Sequence, residues 1–194
     1  MKKPFREQVD ELKAARRELR GSVKLRAALD AFGVPVAGRT CLDVGASTGG
    51  FTTVLLERDA AKVFAVDAGH GQLLGSLRQD LRVVNLENTN IADAVVDEPI
   101  DLVVVDVSYL SLSDAVRQLD RFAFRNGADL VGLVKPMFEL RLGKAPKDEA
   151  SLDEAIRRAS GGIAASGWEI SKTMASPVRG TKGAIEGFVH AKRP

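Results

Sequence analysis

The feature that most constrains the fold of this chain is a regular alternation of short apolar segments with helix-like segments from residue 40 onward. Segments with a strand pattern cover residues 40–45, 62–67, 81–86, 100–106, 129–135, 168–176 and 184–192. Strands that alternate with helices form a mainly parallel sheet that is covered by helices on both faces. We therefore predict an α/β fold with a Rossmann-like, doubly wound, mostly parallel sheet of seven strands.

One helix-like segment precedes the first strand, and four others lie between later strands. They cover residues 22–33, 49–58, 71–79, 113–124 and 152–166. The first has an apolar face at helical spacing, formed by Leu25, Ala28, Leu29 and Phe32. Ser22 and Ser113 are the predicted caps of the first and fourth helices, and Gly33 is predicted to end the first.

The last two strands are joined by the segment PVRGTKG, which is too short to hold a crossover helix. We therefore expect a C-terminal antiparallel hairpin that places one antiparallel strand beside the fifth strand. Ligands of doubly wound sheets bind at the carboxyl ends of the strands, near the point where the strand order reverses. The candidate functional residues are therefore those that follow each strand.

Composition excludes several classes of protein. With 45% hydrophobic and 28% charged residues among 194, the chain has the composition of one ordinary globular domain rather than of a disordered chain. No apolar run approaches the roughly 18 residues that span a bilayer. The single cysteine excludes an internal disulfide, and with only two histidines a zinc site made of Cys and His alone is also excluded.

The ends and the charge of the chain give a simple domain organisation. Residues 1–20 are predicted to form a charged helix or linker before one domain over residues 21–194. The N-terminal lysines are not followed by the apolar region of a signal peptide, so we expect a cytoplasmic protein. The formal net charge of +2 does not by itself indicate a nucleic-acid partner.

A glycine-rich loop follows the first predicted strand, with the sequence Asp43-Val-Gly45-Ala-Ser-Thr-Gly49-Gly50. Its spacing is neither G-x-G-x-x-G nor that of a P-loop, which disfavours a pyrophosphate ligand. Glycines at this place let the backbone approach a ligand closely. The acidic residue just before them favours a ligand with a positive group, such as an amine or a sulfonium.

Polar residues also follow the second and third strands. Asp67 ends the second strand, where an acid commonly accepts hydrogen bonds from ribose hydroxyls. Asn88 and Asn90 follow the third strand. Two roles fit them: they hydrogen-bond the edge of an adenine, or they are ordinary turn residues. These positions favour S-adenosylmethionine. The predicted cofactor-binding residues are Asp43, Gly45, Ala46, Ser47, Thr48, Gly49, Gly50, Phe51, Asp67, Asn88, Asn90 and Asp106.

Charged residues close the apolar fourth and fifth strands, at Asp106 and Lys135. A charge in this position is costly unless it is paired, and adjacent strand ends face the same crevice. A structural ion pair and a catalytic pair both fit this pattern. Glu186 lies in the last predicted strand, near the fifth. Lys24 lies off the apolar face of the first helix, which is the pattern of an ordinary surface lysine.

Six segments stand in the order DVGASTGGFT, AVDAGHGQL, RQDLRVVNLENTNI, DLVVVDVSYLSL, LVKPMFE and SPVRGTKGAIEGF. Together they resemble the motifs of the TlyA (hemolysin-A-like) family of FtsJ-fold ribosomal RNA methyltransferases, over roughly residues 20–192. The resemblance implies a class I methyltransferase fold and S-adenosylmethionine as the methyl donor. It also implies that the acceptor is a ribose 2′-hydroxyl of structured RNA, in ribosomal RNA or ribosomal subunits.

The resemblance further implies a catalytic tetrad of Lys, Asp, Lys and Glu. The matching positions are Lys24 in SVKL, Asp106 in VVDVS, Lys135 in LVKP and Glu186 in GAIEG. The family usually has Ser-Arg-Gly-Gly before the first lysine, where this chain has Arg-Gly-Ser-Val. The family also usually begins with an RNA-binding module of the S4 type, which we expect this chain to lack. No metal is expected.

The expected mechanism assigns a role to each charged group. Lys135 is the predicted base, because Lys24 and the sulfonium would both favour loss of its proton. Asp106 and Glu186 are predicted to orient the two lysines. Two basic loops are predicted to bind RNA phosphates. Their residues are Arg141, Lys144, Lys147, Arg179 and Lys182.

Two other functions remain open at this point. A methyltransferase for a small hydroxylated metabolite would share the cofactor site, although such enzymes more often use a metal or a histidine base, and His70 and His190 are scattered. A non-catalytic RNA-binding or ribosome-assembly protein would keep the fold, but the complete tetrad and glycine loop favour an enzyme. The hemolysin name suggests membrane lysis, which we do not expect without an apolar span or a strong amphipathic helix.

Overall fold

A computed structural model describes residues 19–194 and is built around one seven-stranded sheet. The strands are β1 (Thr40–Val44), β2 (Lys62–Asp67), β3 (Val83–Glu87), β4 (Ile100–Val105), β5 (Phe124–Val134), β6 (Glu169–Ala175) and β7 (Gly187–Lys192). The charged helix or linker predicted over residues 1–20 lies almost wholly outside the described residues.

The strand order is β3-β2-β1-β4-β5-β7-β6, and β1 to β5 are parallel to one another. Strand β7 lies antiparallel between β5 and β6. The order reverses between β1 and β4, so a crevice opens at their carboxyl ends. This confirms the predicted doubly wound sheet and the antiparallel hairpin at its C-terminal edge.

Helices cover both faces of the sheet. They are α1 (Arg20–Phe32), α2 (Gly50–Glu57), α3 (Gly75–Arg78), α4 (Leu112–Arg117), α5 (Pro136–Glu139) and α6 (Glu149–Ala165), with 3₁₀ turns at Gln118–Arg121 and Thr181–Gly183. The apolar faces of α1 and α2 form one buried cluster with the sheet, and those of α4 and α6 form a second on its other face. No helix in residues 19–194 combines the length and apolar character needed to cross a membrane.

Helix α1 follows the predicted apolar pattern, with Leu25 and Leu29 fully buried. Gly33 ends it in the left-handed conformation with a φ of 71°, as predicted. The prediction that Ser22 caps it is wrong, because the helix begins two residues earlier at Arg20. The Ser22 hydroxyl instead donates a hydrogen bond to the Gly50 carbonyl at 2.9 Å, which ties α1 to the start of α2.

Two other predicted helices differ from the structure. Residues 71–79 form only the single turn of α3, because the backbone N–H groups of Gln72 and Leu73 donate to Glu87. Ser111, rather than Ser113, caps α4, since its hydroxyl accepts the Asp114 N–H at 3.0 Å.

A buried polar pair joins the middle of β5 to β7, six residues before Lys135 and away from the crevice. His190 Nε2 lies 2.7 Å from Asp129 Oδ1, and Arg39 donates to the other oxygen of Asp129 at 2.6 Å. Burial raises the pKa of Asp129, but the hydrogen bonds from His190 and Arg39 outweigh it and lower that pKa below its usual value. His190 therefore serves the packing of the hairpin.

Candidate active site

A cavity of about 380 Å³ opens at the carboxyl ends of β1, β4 and β5. We call it the glycine-loop cavity. Its lining comes from the start of α1, the loop after β1, the ends of β4 and β5 and the segment before β7. The lining residues are Leu19, Arg20, Gly21, Lys24, Gly45, Ala46, Ser47, Thr48, Gly50, Phe51, Asp106, Ser108, Lys135, Gly180, Thr181 and Glu186. Its volume is in the usual range for small-molecule sites.

The glycine loop after β1 is fixed by its backbone conformation. Gly45 and Gly49 have φ values of 87° and 96°, a region that other residues rarely adopt. A Cβ atom at Gly45 would collide with the backbone carbonyl of Asp106. Glycine at position 45 therefore lets the loop lie directly against the end of β4. Gly49 does not line the cavity and instead packs against Leu77.

Asp43 lies beneath the glycine loop and has no exposed surface. Its Oδ2 accepts the Thr52 hydroxyl at 2.6 Å, and its Oδ1 has no hydrogen-bond partner among the described residues. Burial raises the pKa of this carboxyl to about 7, although the hydrogen bond from Thr52 acts in the opposite direction. The direct contact with a positive ligand that the sequence suggested is therefore not available to Asp43 in this structure.

Three further predicted cofactor residues, Asp67, Asn88 and Asn90, are not part of the lining of the glycine-loop cavity, whereas Ala46, Ser47, Thr48, Gly50, Phe51 and Asp106 are. Asp67 accepts the backbone N–H groups of Ser47 and Gly69, at 2.8 and 2.6 Å, and so braces the glycine loop. Asn88 has a left-handed φ of 55°, and Asn90 donates to Asp93 at 3.4 Å. Both asparagines act as turn residues here, and a role for either in adenine binding stays a prediction.

Lys135 and Asp106 face each other across the ends of β5 and β4. Lys135 Nζ lies 2.5 Å from Asp106 Oδ1, a contact of charges without good hydrogen-bond geometry at that oxygen. The directed hydrogen bond of Lys135 goes to the Ser108 hydroxyl at 2.6 Å. The ammonium is therefore held by two groups that both follow β4.

Lys24 and Glu186 form a second pair in the same cavity. Lys24 Nζ lies 2.5 Å from Glu186 Oε2, and both side chains are more than nine-tenths buried. The pattern of α1 predicted a surface position for Lys24, and that prediction is wrong. The lysine side chain points into the crevice because its partner, Glu186, comes from the segment before β7, far away along the sequence.

A smaller cavity of about 240 Å³ adjoins the first, and we call it the acceptor-side cavity. The two cavities share four residues, Ser108, Lys135, Thr181 and Glu186. The rest of its lining is Pro136, Met137, Phe138, Ala145, Pro146, Ala184 and Ile185, so it is mainly apolar. Charged groups thus stand where a polar and an apolar space meet.

Ser108 is a site residue that the sequence did not single out. It lines both cavities and accepts the hydrogen bond of Lys135. Its only sequence signal is its place two residues after Asp106, at the end of an apolar strand. Serine is too common in loops for this position to stand out.

The two basic loops lie next to each other at the acceptor-side cavity. The Ile185 N–H donates to the Pro146 carbonyl at 3.4 Å, and Arg179 donates to the Gly183 carbonyl at 3.3 Å. All five predicted RNA-binding side chains are exposed, and their binding role stays a prediction. They are Arg141, Lys144, Lys147, Arg179 and Lys182.

The strand order, the antiparallel β7 and the cavity at the switch point define the class I methyltransferase fold. Geranyl diphosphate methyltransferase, whose structure was solved in complex with SAM, has the same fold. It superposes with a TM-score of 0.64 and 19% identity, over 89% of this chain and 85% of that one. The model of the FtsJ-like methyltransferase family matches residues 18–193. The chain belongs to this family.

Several relatives show how far the likeness extends. The 16S/23S rRNA (cytidine-2′-O)-methyltransferase TlyA of Mycobacterium tuberculosis is 46% identical over 178 residues, covering 88% of this chain and 66% of that protein. Hemolysin A of Brachyspira hyodysenteriae is 37% identical, over 88% of this chain and 75% of its own length. A solved structure described as a hemolysin, from Streptococcus thermophilus, has a TM-score of 0.85 and 32% identity, over 92% of this chain and 67% of that one. This chain thus spans just under two thirds of the mycobacterial relative.

Proposed function

We propose that this protein transfers a methyl group from S-adenosylmethionine to a ribose 2′-hydroxyl of ribosomal RNA, in the cytoplasm. The observation that carries the proposal is the meeting of two lysine–carboxylate pairs at the boundary of two cavities. The mycobacterial relative and a Campylobacter jejuni relative, which is 33% identical, are both named as rRNA (cytidine-2′-O)-methyltransferases. These names support a ribose hydroxyl of ribosomal RNA as the acceptor.

The glycine-loop cavity fits the cofactor in both size and chemistry. The loop from Gly45 to Thr48 lines one wall with small residues only, and the carboxylate of Asp106, which is paired with Lys135, lines the same cavity. That negative charge suits a ligand with a positive sulfur. When bound, the cofactor supplies a methyl group on a sulfonium, which is a good leaving group.

Lys135 is the proposed base for the acceptor hydroxyl. A ribose hydroxyl is a poor nucleophile while it holds its proton, and general-base help typically contributes ~10²–10⁴-fold. In its neutral form Lys135 would take that proton at Nζ, and the ammonium so formed would lie against Asp106. Ser108 fixes the direction of the amine by its hydrogen bond.

The Lys24–Glu186 pair is the second ion pair of the site, and it is proposed to position the acceptor ribose. Because Glu186 neutralises Lys24 at 2.5 Å, the pair is a dipole rather than a free cation. It borders both cavities through Glu186, so it lies where the ribose would sit.

The acceptor-side cavity and the basic loops are proposed to receive the RNA. The apolar lining, which includes Pro136, Phe138 and Ile185, suits the face of a nucleobase. The exposed basic side chains of the two loops would hold the flanking phosphates. Structured RNA is therefore favoured over a small hydroxylated metabolite, which would not need this charged rim.

The experiment is transfer of tritiated methyl groups into ribosomal subunits from a strain that lacks the protein, followed by mapping of the label. A 2′-O-methyl group blocks alkaline cleavage of the next phosphodiester, so ribose methylation leaves the label in alkali-resistant dinucleotides. Label in mononucleotides would indicate base methylation instead. No transfer to subunits despite measurable S-adenosylmethionine binding would overturn the proposed acceptor, and no cofactor binding would favour a non-catalytic RNA-binding protein.

A further inference from the structure

A third cavity, of about 300 Å³, lies on the face of the sheet that α4 and α6 cover. It is bordered by α4, the turn after α5, and α6. Its lining residues are Ser111, Ser113, Asp114, Arg117, Glu139, Arg141, Arg158, Gly162 and Ala165. We infer that this arginine groove binds a backbone phosphate of the RNA substrate, close to the acceptor nucleotide. The inference rests on the proposed function and adds a site to it.

Three arginines from three separate elements face this groove. Arg117 ends α4, Arg141 follows α5, and Arg158 lies on α6. Among residues 19–194, Arg141 and Arg158 have no carboxylate partner, whereas Arg117 pairs with Asp114 on its own helix. Two uncompensated guanidinium groups and one partly compensated group therefore converge on one concave surface.

Both carboxylates of the groove already accept hydrogen bonds from other groups of the protein. Glu139 is buried and accepts the Leu112 N–H at 2.9 Å and the Ser113 hydroxyl, so its oxygens are held at the start of α4. Asp114 accepts from the Ser111 hydroxyl at 2.7 Å as well as from Arg117. The groups left without partners are donors, and they fit an anion with several acceptor oxygens.

The backbone of Arg141 supports a binding role. Arg141 has a φ of 54°, in the left-handed region where Gly or Asn is more usual. The bonds from its N–H to Phe138 O at 3.2 Å and from Leu142 N–H to Met137 O at 2.8 Å hold this conformation. A long cationic side chain is thus kept at a position where the fold alone would favour glycine.

The arginine groove also lies next to the acceptor-side cavity. The single turn of α5 separates them, since Met137 and Phe138 line the acceptor-side cavity while Glu139 and Arg141 line the groove. An RNA strand with one nucleotide in the cavity would cross this turn to reach the groove. Arginine forks recognise phosphate oxygens without reading sequence, so the site would fix register rather than specificity.

The test compares Arg158→Gln and Arg117→Gln with matched controls at neighbouring arginines. The controls are Arg157→Gln, the neighbour on α6 that pairs with Glu154, and Arg121→Gln in the turn after α4. Binding of radiolabelled ribosomal subunits is measured at several salt concentrations. We expect each groove variant to weaken binding about ten-fold. The double groove variant Arg117→Gln/Arg158→Gln should lower the salt slope by about 0.7–0.9, which is the contribution of one phosphate contact. Unchanged affinity and slope in the double groove variant would overturn the inference.

Two further measurements distinguish RNA binding in the groove from a structural role of Arg141 and from binding of a free anion. Arg141→Gly relieves the left-handed backbone, so it should weaken RNA binding without lowering the thermal midpoint; equal loss of both would indicate a structural role. Inorganic phosphate at constant ionic strength should not raise the thermal midpoint of the wild type more than it raises that of Arg158→Gln, because a free phosphate lacks the RNA contacts of the rest of the site. A larger shift in the wild type would assign the groove to a free anion instead. Because binding is measured without transfer, failure of the proposed methylation would leave this test intact.

Discussion

Lys24 and Glu186 lie 162 positions apart in the chain, yet their side chains meet at 2.5 Å inside the crevice. One comes from the first described helix and the other from the segment before the antiparallel strand β7. The pair therefore closes the site and joins the two ends of the domain. A buried pair of this kind contributes little as a whole, but loss of one partner leaves an uncompensated charge.

Replacement of Lys24 by methionine tests this coupling. We expect Lys24→Met to lower the free energy of unfolding by about 3 kcal/mol, because Glu186 is then buried without a partner. The double variant Lys24→Met/Glu186→Gln should be more stable than Lys24→Met alone. Denaturant unfolding measures both, with Asp30→Asn as a control that removes an exposed ion pair from the same helix. Additive effects of the two substitutions would contradict a coupled pair.

A glycine comparison separates backbone strain from steric contact at the site. Gly38 and Gly45 both have positive φ, but nothing lies within 4 Å of a Cβ at Gly38, whereas Gly45 faces the Asp106 carbonyl. Gly38→Ala should therefore cost only the strain of about 1–2 kcal/mol. Gly45→Ala should cost clearly more and abolish S-adenosylmethionine binding. Calorimetric binding that is equal in both variants would show that the loop does not need its close approach to β4.

The buried carboxyl of Asp43 should make stability depend on pH. Its pKa is about 7 in the folded protein, against 3.8 for an ordinary aspartate, so between these values the folded state binds more protons than the unfolded state. The stability that protonated Asp43 provides is complete below about pH 4 and is lost as pH rises to about 7, by about 4 kcal/mol at most.

Asp43→Asn removes this dependence, because an amide does not ionise. We expect the stability of the wild type, relative to the variant, to fall between pH 5 and pH 7 and to level off above. Unfolding by denaturant across that range measures the difference. The exposed carboxyl of Asp153 on α6 offers the matched control Asp153→Asn. A difference that does not change with pH would mean that Asp43 keeps its charge when buried.

Ser108→Ala tests the residue that the structure adds to the tetrad. It removes the 2.6 Å hydrogen bond to Lys135 while leaving every charge in place. We expect kcat to fall about ten-fold or more, which corresponds to the ~1.5–3 kcal/mol of a hydrogen bond to a charged group. The thermal midpoint should not change, since Ser108 is exposed. Ser108→Thr keeps the hydroxyl and should restore activity; a change only in KM would assign Ser108 to RNA binding instead.

The fold was largely predictable from the sequence because its signals are local. Apolar strands such as 100–106 and the end of α1 at Gly33 depend on neighbouring residues, and the structure follows them closely. Ser113 shows the limit of such signals. Its position suits a cap, but its hydroxyl goes to Glu139 on a different helix, and Ser111 takes the cap.

The site was less predictable, since its contacts join distant segments. The helical pattern of α1 placed Lys24 on the surface, because a periodicity within one helix says nothing about a partner near β7. For the same reason the complete burial of Asp43 could not be foreseen: it depends on α2 packing over the end of β1. Only the resemblance to a family singled out Lys24.

The most direct test of the proposed chemistry is methyl transfer by Lys135→Ala under single-turnover conditions, with the calorimetric Kd for S-adenosylmethionine measured on the same preparation. Loss of the proposed base should lower the transfer rate to ribosomal subunits by ~10²–10⁴-fold. The cofactor should still bind with an affinity close to that of the wild type, because the glycine loop is intact. Transfer at the wild-type rate by this variant would contradict the assignment of Lys135 as the base.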